Sequence, residues 1–93
     1  MIKVIIDRRI ADDMESTYED AIKQTLQAIL EAPGYVSGAS YKDAKDSRHR
    51  IIITNWKSLR DWEAWAISSE RKRVIAAIQP ILMREERFSI LTA

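Results

Sequence analysis

The chain has 93 residues and a formal net charge of +1, with 46% hydrophobic and 31% charged residues. That is one domain, 1–93, with a core of modest stability that a second copy would supplement. The absence of cysteine excludes disulfides, thiolate catalysis and cysteine-ligated zinc. The basic clusters at Arg8-Arg9, Arg48 to Arg50 and Arg71 to Arg73 carry no interleaved aromatic residues, which argues against nucleic-acid binding. No apolar run approaches the roughly 18 residues of a membrane span. MIKVIIDRR has too short an apolar run, and no small-residue cleavage site, to be a signal peptide; a cytoplasmic protein is expected.

Residues 3–10 read as a first strand rich in Val and Ile. Asp12 or Asp13 offers a helix cap, with Glu15 at the capping-box spacing from Asp12. Met14, Tyr18, Ile22, Leu26 and Ile29 then form one apolar helical stripe, which Pro33-Gly34 ends. Residues 35–42 read as a second strand with Tyr35, Ser37, Ala39 and Tyr41 on one face. The charged run 43–50 is expected to be a solvated loop, and 50–56 a third strand.

The stretch TNWKSLRDWEAW places all three tryptophans of the chain, Trp56, Trp62 and Trp65, within ten residues. Ser58 starts a second helix there, with Asp61 at the capping-box position. Ser68 or Ser69 caps a third helix, which Pro80 ends or kinks near Gln79. Residues 87–91 form a last strand.

The resulting order, βαββααβ, is the α+β ferredoxin-like pattern, with helices on one face of a four-stranded antiparallel sheet. Strands 1 and 3 are apolar on both faces, with Val4 and Ile6 opposite Ile5, and Ile51 and Ile53 opposite Ile52. One layer of helices cannot cover both, so a homodimer by sheet-on-sheet contact is expected.

With the PG after the first helix, the NWKS end of strand 3 and the DWEAW helix followed by SSE, the chain resembles the antibiotic biosynthesis monooxygenase domain family along essentially its whole length. The resemblance implies a dimeric α+β barrel with a pocket between helices and sheet. Members include cofactor-independent oxygenases of polycyclic aromatic phenols, quinol oxygenases and haem-degrading enzymes. The haem-degrading branch uses an Asn, a Trp and a His at positions that match Asp7, Trp65 and Ile75. Ile75 cannot ligate iron, and the sole histidine, His49, falls in the charged loop, so no haem and no other cofactor is expected.

Asp7 is the candidate catalytic base for a phenol or hydroquinone; its alternative is an ion pair with Arg9 or another basic side chain. Trp65 is either a pocket wall or a core anchor. The resemblance places Asn55 and Trp56 against substrate, while Asn55 alone reads as a turn or edge residue. His49 is expected to be an exposed loop residue, and the tyrosines to be ordinary packing residues. One histidine and no inward carboxylate pair give no metal site. Two readings remain: a dimeric oxygenase of an aromatic phenol or quinol without cofactor, and a non-catalytic dimeric binding or interaction module. They separate on whether the helix–sheet cavity is open or filled by indoles.

Overall fold

Alternation along the first strand decides which sheet face the helices cover. In the computed structural model, which describes all 93 residues, β1 spans Ile2–Arg9, and Ile2, Val4, Ile6 and Arg8 are buried while the residues between them are not. The buried set packs against helices α1 (Glu15–Ile29), α2 (Leu59–Ala66) and α3 (Ser69–Ile75). Strands β2 (Tyr35–Asp43), β3 (Asp46–Trp56) and β4 (Arg87–Thr92) complete an antiparallel sheet ordered β2-β3-β1-β4. A 3-10 turn, Gln79–Ile81, links α3 to β4, with Pro80 in its first turn where a missing N–H is harmless. This is the expected α+β ferredoxin-like fold.

Ser58 caps α2 by accepting a hydrogen bond from the Asp61 amide at 3.2 Å, and Ser68 caps α3 through the Arg71 amide at 3.1 Å. Both short helices therefore begin where the sequence places them. α1 does not. Its N-cap is Met14, without a side-chain cap; Asp13 adopts φ 62° and Asp12 pairs with Arg48 instead.

The expected loop 43–50 is largely strand. Only Ala44 and Lys45 turn, held by Asp43 Oδ1 accepting from the Lys45 amide at 2.9 Å, and β3 starts at Asp46. Charged residues can extend a strand when partners lie across from them, and here Arg8 and Arg9 of β1 pair in register with Arg50 and His49. β2 also departs from simple alternation. A bulge between Tyr35 and Ser37 puts Tyr35 opposite Trp56 on the helix face, while Ser37, Ala39 and Tyr41 lie on the other.

The sheet face away from the helices presents Ile5, Ala39, Tyr41, Ile51, Ile53 and Leu91, with Tyr41 and Leu91 half exposed. No helix is long and apolar enough to cross a membrane.

Candidate functional site

The helix–sheet interior is built around tryptophan. Trp56, at the end of β3, is fully buried, and its indole Nε1 donates to Thr54 Oγ1 at 2.9 Å, which satisfies its one polar atom. Trp62 meets it edge to face, with centroids 5.8 Å apart, and Trp65 lies 6.5 Å away. Phe88 of β4 extends the cluster to Trp62 at 5.8 Å.

One end of this interior is charged. Arg8 Nε donates to Glu86 Oε2 at 2.8 Å, and Arg71 Nη2 reaches Glu86 Oε1 at 2.5 Å. Arg8 Nη1 also donates to the Tyr18 hydroxyl at 3.2 Å, and Arg50 Nη1 pairs with Glu19 at 2.7 Å. Burial alone would raise the Glu86 pKa, but the Arg8 and Arg71 guanidinium groups outweigh it and hold the carboxyl below its ordinary value.

Between helices and sheet the free space is about 20 Å³, bordered by Trp62, Trp65, Thr25, Arg8 and Arg71. That is room for about one water molecule. Two wider recesses flank it. A groove of about 720 Å³ runs between the C-terminal half of α1 and the helices α2 and α3, with Trp65 in its wall. A recess of about 520 Å³ lies between α3, the 3-10 turn and the start of β4, lined by Arg71, Leu82, Glu86 and Phe88. Trp65 and Arg71 thus each separate the closed interior from open space. The indole-filled interior is the packed alternative, but its partitions are single side chains.

The four candidate residues divide between the two sheet faces. Trp56 and Trp65 come together inside. Asn55 lies on the other face, where its Nδ2 donates to Ser37 Oγ at 3.0 Å. Asp7 is on that face too, which corrects its placement as a base in the helix–sheet pocket, because β1 alternation turns it away from the helices. It is ion-paired as its alternative reading holds, though with Arg84 at 3.2 Å and His49 at 3.1 Å, whereas Arg9 pairs with Asp46. Burial raises the Asp7 pKa, but the His49 and Arg84 interactions outweigh it and lower it overall.

His49 is not an exposed loop residue. It sits on β3 with Nδ1 at 2.9 Å from Asp43 and Nε2 at 3.1 Å from Asp7, and the hydrogen bonds to Asp43 and Asp7 raise its pKa. No three His, Asp or Glu side chains converge in an arrangement that holds a metal.

Sequence reasoning missed Arg8, Arg50, Arg71 and Glu86. A signal was present for two of them. Arg8 continues the period-two series Ile2, Val4, Ile6, and Arg50 precedes Ile52, Thr54 and Trp56 in the same way. Extending the alternation through charged residues places both inside.

The chain matches the family described as Antibiotic biosynthesis monooxygenase over residues 1–77. It is 22% identical over 92 residues to Protein SchA of Streptomyces halstedii, a match that spans 97% of this chain but only 24% of SchA. Its fold is similar to SnoaB, a cofactor-independent oxygenase from Streptomyces nogalater (TM-score 0.86, 12% identity, 99% of this chain and 92% of that one). It is also similar to a conserved protein from Methanosarcina mazei Go1 (TM-score 0.89, 14% identity, 97% and 89%). At these identities the structural likeness carries the fold.

Proposed function

Because the chain belongs to the antibiotic biosynthesis monooxygenase family, we propose that it is a cofactor-independent monooxygenase of a phenol or quinol, held where the indole-walled interior meets the Arg71 recess. The observation that carries this reading is the recess itself. About 520 Å³ is enough for an aromatic ligand, and its wall joins an aromatic surface, Phe88, to the largely buried cation Arg71. In such a reaction the substrate is its own reductant. One atom of dioxygen enters the ring, the other leaves as water, and a phenol becomes a quinone. The protein's contribution is a water-poor site, orientation and stabilisation of developing negative charge.

The molecule is proposed to act as a homodimer through the sheet face that carries Ile5, Ile51 and Ile53, which no helix covers. The nearly closed interior, about 20 Å³, favours the second reading, a dimeric small-molecule-binding or interaction module without chemistry. Titration of hydroquinones and polycyclic phenols, followed by indole fluorescence and then by oxygen uptake, separates the two. Saturable quenching with uptake that falls in Trp65→Leu and persists in Asp7→Asn is the oxygenase result. Saturable quenching without uptake for any compound assigns the binding module.

A further inference from the structure

The charged end of the interior holds more positive charge than it neutralises. Arg8, Arg50 and Arg71 have side chains only 2%, 5% and 12% exposed. One carboxylate, Glu86, is buried with them at 8% exposure, while Glu19, the partner of Arg50, is 52% exposed. A buried cation without an equally buried counter-ion is costly, and such sites are frequently built for a ligand that brings the missing charge.

One unfinished hydrogen bond lies at the same end, and a second belongs to a residue at the rim of the recess. Thr25 Oγ1 is buried without a partner and borders the small cavity beside Arg8 and Arg71. Arg84 Nε is a buried donor without an acceptor, and Arg84 lines the recess. The Arg71 guanidinium stands 5.5 Å over the Phe88 ring, so an aromatic face and a cation adjoin at the recess.

We propose that the Arg71 recess binds an aromatic oxyanion, with the ring near Phe88 and the charged oxygen on the Arg71 guanidinium, so that a phenol substrate is taken up as its phenolate. This rests on the proposed function and specifies the form of the substrate. The phenol O–H bond breaks, the proton goes to bulk water through the open recess, and the electron pair stays on the oxygen. Glu86 is not the acceptor, since it is already ionised between Arg8 and Arg71. The other charged groups that face this position are Arg84 and Glu85 at the rim, with Arg8 behind Glu86 and Arg50 beyond Tyr18. Arg84 is turned partly to Asp7. Arg8 acts through Glu86 as a positioning residue, and Arg71 touches the ligand.

The test uses a chromophoric nitrophenol, whose absorbance reports its own ionisation, and benzoate as a permanently charged comparison. Neither needs dioxygen, so the outcome is independent of turnover. The bound nitrophenol is expected to ionise at lower pH than the free compound. Arg71→Gln should abolish that shift and weaken binding roughly tenfold or more, while Arg71→Lys retains part of both. Glu86→Gln, which removes the only buried counter-charge, should tighten anion binding several-fold, a change of sign that a purely structural role does not produce. Thermal unfolding of each variant confirms that it is folded. If benzoate alone responds to Arg71, the oxyanion site stands and its ligand is a carboxylate instead of a phenolate. Binding of both probes with no ionisation shift and no dependence on Arg71 or Glu86 overturns the inference and leaves the oxygenase reading in place. Anion binding without any oxygen uptake leaves the inference and removes that reading.

Discussion

Arg8 and Arg50 stand directly opposite each other on β1 and β3, both on the buried face, and the Tyr18 ring lies under both guanidinium groups at 6.0 and 5.4 Å. Like charges in that position repel. Glu86, Glu19 and the π face of Tyr18 offset the repulsion. Tyr18→Phe keeps the ring and removes the hydroxyl that Arg8 donates to, and is expected to cost about 1 kcal/mol in urea unfolding. Arg8→Ala strips Glu86 of its 2.8 Å partner and is expected to cost about 3–5 kcal/mol. A loss below about 1 kcal/mol for Arg8→Ala would mean that the pair is solvated in solution.

Stability should fall at both ends of the pH scale for different reasons. Asp7, Asp43 and Glu86 have folded pKa values below their ordinary ones of 3.8, 3.8 and 4.5. Their contribution is complete above those values and is lost as pH drops through the lowered folded pKa. His49 has the opposite sign. Raised from 6.5, it contributes fully below that value, and the contribution is lost as pH rises through the raised pKa. Urea midpoints measured from pH 5 to 9 are expected to decline on the alkaline side in the wild type and to stay flat in His49→Gln. An identical decline in both proteins would exclude His49 as its source.

Ile5 and Ile53 are cross-strand partners on the uncovered sheet face. If that face is the dimer contact, Ile53→Lys buries two charges across a two-fold axis and should give a monomer by sedimentation equilibrium, with a melting temperature that no longer depends on concentration. A dimer of unchanged affinity would place the contact elsewhere.

Thr54→Val is nearly isosteric but removes the acceptor of the Trp56 indole N–H, which is fully buried. A loss of about 1–3 kcal/mol is expected from the unsatisfied donor, together with a changed Trp56 emission. A neutral effect would mean that water reaches the indole.

Gly34 takes φ 82° at the turn after α1, and a Cβ there would run into the Asp61 carboxyl that completes the α2 cap. Gly34→Ala is therefore expected to cost about 2 kcal/mol or more, from left-handed strain and a displaced cap together. Chemical denaturation measures it, and a stabilising result would show that the turn relaxes freely.

Much of the architecture is legible locally. Hydrophobic period places all four strands and three helices, because the alternation of Ile2, Val4 and Ile6 and the stripe of Tyr18, Ile22 and Ile29 are properties of neighbours in sequence. Serines at 58 and 68 mark helix starts because capping is satisfied within three residues. The errors fall where partners are distant. Asp12 looks like a cap until Arg48 claims it, and residues 43–50 look like a solvated loop until β1 supplies partners for Arg50 and His49.

By itself the sequence determined the order of elements, the family, and the clustering of all three tryptophans at the junction of β3 and α2. Only the tertiary structure decided that Asp7 is held by His49 and Arg84, that the interior is nearly full, and that Arg8, Arg71 and Glu86 form its charged end. The physical reason is range. Helix period, strand alternation and caps are set by interactions within a few residues. The burial of a charge is settled by counter-ions brought from up to 78 positions away in the chain, as Glu86 is to Arg8.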